Sequence, residues 1–162
     1  IEYHITIESE CILTAEIIEI LNGEDKLEKY IYIENYPCVN EKINSHLLQY
    51  KTELITRGIR KFNDSNWFEF GATRNIKNVT KNIGKDCIYL YNLTRKTNVA
   101  FIGKVTYFGG GLIMLKPKKI CDLNNVVAYI NSDKFKHNFM FSGRFKIGHR
   151  SISNSSIPIE CL

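Results

Sequence analysis

The chain has 162 residues, of which 44% are hydrophobic, 12% aromatic and 24% charged, with a net charge of +5. That is enough to bury roughly 70% of the unfolded surface in one domain, and nothing approaches the ~20 uninterrupted apolar residues of a membrane span. Cys11, Cys38, Cys87, Cys121 and Cys161 lie far apart with no C-x-x-C pair, which argues against a zinc site or disulfide framework and fits reduced, mostly buried thiols in a cytoplasmic protein.

Tyr3, Ile5 and Ile7 alternate with polar neighbours as in a half-buried strand. The stretch from Thr14 to Leu21 predicts a short helix, with Thr14 as N-cap and Gly23 as stop. KYIYIENYP is β-branched and aromatic and predicts a strand ending near Pro37. From Asn40 to Ile59, Ile43, Leu47, Tyr50 and Leu54 recur at spacings of three and four, predicting one helix whose last turn carries Arg57, Arg60 and Lys61. Cations there complement the helix dipole and need no ligand.

From Trp67 onward short strands are expected. Residues 87–94, 98–108 and 111–117 form a small antiparallel meander, with Gly109 to Gly111 as a tight turn between the last two. Leu123 to Phe141 returns to helical spacing, with Asp122 or Asn124 as cap, and GRFKIGHRSISN alternates as an exposed strand or hairpin. The expected fold class is α+β: small antiparallel sheets with two to three packed helices in a single domain over 1–162. The first residues have acidic groups where an export signal has basic ones, and the chain opens without methionine on a strand-like alternation. The expectation is an excised piece of a larger protein.

Charge is divided along the chain. Residues 1–50 carry ten Asp/Glu against three Lys/Arg, and residues 51–162 carry nineteen Lys/Arg against seven Asp/Glu. Basic residues interleaved with aromatics suit a polyanion, because each phosphate neutralised releases counterions. The acidic N-terminal part is expected to face solvent or the rest of a parent enzyme. Signatures of self-contained catalysis are absent: no phosphate-binding lysine loop, no G-x-S-x-G, no H-E-x-x-H, and four scattered histidines. No catalytic residue and no metal site is assigned.

Three segments have the chemistry of a recognition surface. In WFEFGATRNIKN, Arg74, Asn75 and Lys77 follow a run of aromatics; Arg suits guanine and Asn suits adenine, since each can make paired hydrogen bonds to a base edge. The glycines at 109–111 would let backbone approach a partner closely. In SGRFKIGHRSISN, Arg144, Lys146, His149 and Arg150 can touch phosphates. Arg57, Arg60, Arg95 and Lys96 complete the candidate set. Core packing is the bland explanation for Trp67 and Phe70, and plain solvation for the exposed cations.

The sequences EKINSHLLQYKTELITRG, WFEFGATRN, GKDCIYLYNLTRKTNVAF, YFGGGLIMLKPK and NNVVAYINSDKFKHNFMFSGRFKIGHRSISNSSIPI, in that order, resemble the TaqI-like C-terminal specificity domain of adenine-specific DNA methyltransferases from type II restriction–modification systems. The resemblance spans about residues 37–160. In it His46 to Arg57 corresponds to a leucine-rich helix ending in arginine, and Trp67 to Glu69 to an aromatic–acidic element. Tyr129 to Phe135 matches a helix ending in Asn-Ser-x-x-Phe, and Arg150 to Ile159 matches an Arg-x-Ile-x-Asn-x-Pro-Ile-type close. In such enzymes a separate N-terminal domain binds S-adenosylmethionine and presents an Asn/Asp-Pro-Pro-Tyr/Phe loop to the flipped adenine, and neither signature occurs here. The resemblance therefore implies a recognition half that binds double-stranded DNA beside the N-terminal catalytic domain of its parent chain and catalyses nothing alone. An RNA-binding or protein-interaction module of similar basic, aromatic composition stays open as the alternative.

Overall fold

A computed structural model describes residues 17–162. It is an α+β protein, with helices and small antiparallel sheets in two compact units. Of the described residues, one unit holds 17–20 and Glu28–Ile76, and the other holds Leu21–Leu27 and Lys77–Leu162.

The first element is β1 (Ile17–Gly23), which pairs with β2 (Lys26–Ile31) in a two-stranded sheet. The helix expected from Thr14 is therefore corrected to a strand over the residues described. The β-branched isoleucines at 17, 18 and 20 lose side-chain freedom in a helix and pack well on a pleated surface. The second strand also stops at Ile31, well before Pro37; the Tyr36–Pro37 peptide bond is cis.

In the first unit, helix α1 (Glu41–Gln49) starts where the side chain of Asn40 accepts hydrogen bonds from the Lys42 and Ile43 amides at 3.0 and 3.3 Å. Buried Asn44 braces the preceding loop, accepting from the Cys38 amide at 2.8 Å and donating to the Cys38 carbonyl at 2.7 Å. A second helix, α2 (Lys51–Ile55), follows a break at Tyr50, so the expected single helix over 40–59 is two shorter ones. Ile17, Ile33, Ile43, Leu47, Leu54 and Trp67 form the unit's core.

In the second unit, α3 (Ile76–Asn82) leads into β3 (Asp86–Tyr91), the central strand of a sheet ordered β5–β3–β6, where β5 is Ala100–Lys104 and β6 is Leu112–Leu115. Both partners are antiparallel to β3. The expected meander is thus corrected: β3 lies in the middle, and the segment from 105 to 111 crosses over rather than turning tightly. Along β3, Cys87, Tyr89 and Tyr91 enter one apolar layer with Val79, Phe101 and Leu112, while Ile88 and Leu90 enter another with Val99, Ile113, Val126, Ile130, Phe135 and Phe145. Burial on both faces explains why β3 is apolar without alternation.

The expected strand over 87–94 divides at Asn92. Leu93–Thr94 (β4) belongs to a different sheet, ordered β4–β8–β7, with β7 at Met140–Phe141 and β8 at Arg144–Lys146. Asn92 sits at the division: its side-chain amide donates to the Gly110 carbonyl at 2.8 Å, and its own carbonyl accepts from Ile147 at 2.9 Å.

Helix α4 (Leu123–Asn131) is capped by Asp122, which accepts from the Asn124 amide at 2.9 Å. It ends at Ser132, whose hydroxyl caps the next helix, α5 (Asp133–Lys136), before a single 3-10 turn at His137–Phe139. The continuous helix expected to Phe141 is corrected accordingly. The segment expected to be extended from Gly143 to Asn154 is strand only as far as Lys146 and then forms helix α6 (His149–Ser153).

Candidate nucleic-acid interface

The sheet β4–β8–β7 has one face packed on the core and one open. Phe145 points inward and is 1% exposed, whereas its neighbours Arg144 and Lys146 are exposed. Successive strand residues point to opposite faces, and directly paired residues share a face. Phe141 is paired with Arg144 and Leu93 with Lys146. The open face therefore presents Phe141, Arg144, Lys146 and Leu93 side by side, with Phe141 59% and Leu93 50% exposed.

The turn that builds this face is Ser142–Gly143, both at positive φ (51° and 70°). A two-residue connection with both φ values positive matches the right-handed twist of its strands, and the Ser-Gly pair supplies it. Helix α6 follows at once and carries His149 and Arg150 in its first turn, both exposed. Between Asp133 and Glu160 the chain has five Lys/Arg and no Asp/Glu. The face and the helix beside it are consequently cationic without internal neutralisation.

The other candidates in this unit differ among themselves. Arg95 is exposed just after β4. Lys96 is held down: its ammonium donates to the Tyr91 hydroxyl at 3.1 Å and lies 4.9 Å from that ring's centre. Lys77 is exposed on α3, a helix where the sequence pattern suggests a loop. Gly109 serves the fold, since a Cβ there would collide with the Asn22 side chain and its amide donates to the Leu21 carbonyl at 2.9 Å, whereas a Cβ at Gly110 or Gly111 would meet nothing within 4 Å.

In the first unit, Arg57 is a brace. Its guanidinium donates to the carbonyls of Leu54 at 2.8 Å, Trp67 at 2.7 Å and Glu69 at 2.9 Å, and it stacks 4.0 Å from the Phe62 ring centre. Arg60 also rests on Phe62, 4.7 Å from the ring centre, while it pairs with the Glu69 carboxylate and donates to the Gly71 carbonyl. Arg74 is exposed at the rim of an open cleft of about 570 Å³, which Tyr32, Phe70, Arg60 and Glu69 also line. Asn75 is exposed with φ of 58°, a left-handed conformation that Asn tolerates better than most residues.

Leu93 and Phe141 are the members of the open face that sequence reasoning does not single out. The signal for Phe141 is the Ser-Gly pair, which fixes a hairpin and sets Phe141 opposite Arg144, whereas Leu93 is placed by the pairing of β4 with β8, which no local pattern marks. Cys87 is buried and its thiol is pushed up in pKa by burial. Cys38, Cys121 and Cys161 are half-buried, so the expectation of mostly buried thiols holds fully only for Cys87 among the described cysteines. No group of three or more His, Cys, Asp or Glu able to hold a metal occurs among the described residues, and no described helix is long and apolar enough to cross a membrane.

No family model matches the chain. It is similar to a type II methyltransferase. That relative is the type II methyltransferase M.MjaIV of Methanocaldococcus jannaschii, 29% identical over 143 residues, which cover 83% of this chain and 46% of the relative. The chain thus spans about half the length of the curated relative it matches.

Proposed function

We propose that the chain is the DNA target-recognition part of a type II adenine-specific methyltransferase or of a fused restriction–modification enzyme. The observation that carries this reading is the open face of β4–β8–β7. There, the two cations of β8 are each paired with an exposed apolar side chain on a flanking strand, and Arg150 on α6 adds a further cation. A face of that kind supplies phosphate contacts from its cations and apolar contact from Phe141 and Leu93. The similarity to a type II methyltransferase supports DNA as the polymer.

On this reading the methyl donor, S-adenosylmethionine, is bound and used by a separate N-terminal catalytic domain. This chain's residues grip and orient the duplex. Arg144, Lys146, Arg150 and Arg95 supply charge in the second unit, His149 offers a hydrogen-bonding ring beside them, Lys77 adds charge from α3, and Arg74 and Asn75 offer base-edge hydrogen bonds in the first. Arg57, Arg60 and Lys96 act through the scaffold, since their charged groups are held in place by carbonyls, a carboxylate and a hydroxyl of the chain itself.

The test is fluorescence anisotropy with labelled duplex DNA and with single-stranded RNA of the same length across a salt series. The expected result is binding of duplex DNA with a dissociation constant of order 10⁻⁴ to 10⁻⁶ M near physiological salt, weakening linearly in log–log form. Preference for the RNA, or affinity independent of salt, overturns the proposal.

A further inference from the structure

At the end of α3, two lysines meet on one neutral oxygen. The Asn82 side-chain oxygen accepts from the Lys85 ammonium at 3.0 Å and from the Lys116 ammonium at 2.7 Å. The same amide's nitrogen is committed to the carbonyl and side-chain oxygen of Asn78, at 2.8 and 3.2 Å. Asn82 is 8% exposed and cannot turn, whereas both lysines are exposed.

The two ammonium groups are therefore no farther apart than those two bonds laid end to end, and like charges at that separation repel. Among the described residues no carboxylate lies within ion-pair reach of either. The acid next in the chain, Asp86, is taken by Lys104 at 2.6 Å. Complementing the carbonyl end of α3 would account for one lysine. It does not account for two brought from separate segments, one after the helix and one from the end of β6, onto a shared acceptor. Each ammonium has further donors beyond the one spent on Asn82, and these are available to an external acceptor with several oxygens and negative charge.

The geometry points to a phosphate seat formed by Lys85 and Lys116 and positioned by Asn82. Its ligand is a phosphate group, carried either by a nucleic-acid backbone or by a free phosphate. Exposed Lys81, Lys118 and Lys119 lie near these residues in the chain and add positive charge. This inference extends the DNA-binding reading above where the phosphate belongs to a duplex, and stands apart from it where the phosphate is free.

Inorganic phosphate is the first probe. Titrated into the chain, it is expected to shift the Lys85 and Lys116 ammonium resonances together and to raise the melting temperature. The melting response should vanish in K85M/K116M, which keeps the aliphatic stems, and both responses should vanish in N82D, which keeps both lysines but supplies the missing negative charge internally. Absence of any response in the folded wild-type chain overturns the seat; so does a response undiminished in K85M/K116M.

Duplex DNA is the second probe, and it assigns the source. A log–log salt slope reduced by about one in K85M/K116M assigns the seat to the backbone. An unchanged slope, with the phosphate response intact in wild type, assigns it to free phosphate. If the wild-type chain does not bind duplex at all, the functional proposal fails, and the phosphate titration still decides the seat.

Discussion

Asn131 and Ala100 are joined as if they were neighbours on a β-ladder. The side-chain oxygen of Asn131 accepts from the Ala100 amide at 2.9 Å, its nitrogen donates to the Ala100 carbonyl at 2.9 Å, and the oxygen also accepts from the Val99 amide at 2.7 Å. The last residue of α4 thereby satisfies three backbone groups at the start of β5. Asn131→Ala is expected to cost ~2–4 kcal/mol, since buried backbone groups lose their partners. Urea denaturation measures it. A loss below ~0.5 kcal/mol would mean that water replaces the amide without penalty.

Arg57 performs the same service in the first unit, fastening Trp67 and Glu69 through their carbonyls while resting on Phe62. A lysine keeps the charge but has neither the planar fork nor the stacking surface. Arg57→Lys is expected to lower stability by ~1–3 kcal/mol, with duplex affinity little changed at temperatures where the variant is folded. Comparison of melting curves with anisotropy separates the two effects; a large loss of affinity at full stability would make Arg57 a direct DNA contact.

These two residues also explain what was legible in the sequence. The ordered segments that carry the resemblance contain Arg57, Trp67, Asn131, Ser132 and Phe135, and each has a place in the scaffold. Arg57 is a brace, Trp67 a core ring, Asn131 a backbone tie, Ser132 a helix cap and Phe135 a core side chain. Such roles depend on spacing within the chain, so they leave readable patterns. The side chains proposed to contact DNA need only be exposed, and Arg144 looks like any solvated cation until Phe145 fixes which face of β8 is open. The helix misread at β1 failed for another reason. Over seven residues, an isoleucine-rich run satisfies either period, and only its pairing with β2 decides. The break at Tyr50 and the division at Asn92 likewise depend on distant partners.

Tyr89 gives a pH dependence with a defined sign. It is fully buried, its hydroxyl donates to the Lys104 carbonyl at 3.0 Å and accepts from the Thr106 amide at 3.1 Å, and burial pushes its pKa up to about 12. The folded state holds this proton more tightly than the unfolded chain, whose tyrosines titrate near ~10. The contribution is complete below about pH 10 and is lost as pH rises toward 12, amounting to ~3 kcal/mol at most. In Tyr89→Phe that alkaline loss should shrink, while stability at neutral pH falls by ~1–3 kcal/mol because two backbone groups lose their partner. Urea midpoints between about pH 8 and 11 test both; identical alkaline profiles for the two proteins would remove Tyr89 as the titrating group.

The open face of β4–β8–β7 yields the sharpest contrast between binding and stability. Arg144 and Phe141 are exposed and paired across the hairpin, and Phe145 beneath them carries the packing. Arg144→Ala should therefore change stability by no more than ~0.5 kcal/mol yet weaken duplex binding about tenfold, equivalent to ~1.4 kcal/mol. Phe141→Ala should also weaken binding, but with an unchanged salt slope, because an aromatic ring neutralises no phosphate. Arg74→Ala, in the other unit, should weaken binding to a comparable degree if both units touch the same duplex. A face that merely sits in solvent predicts instead that Arg144→Ala and Phe141→Ala bind as wild type does, and anisotropy at two salt concentrations distinguishes the cases. The slope carries the decision: loss of affinity in Arg144→Ala with the wild-type slope would make its contact a base edge, and loss with a slope reduced by about one would make it a backbone phosphate.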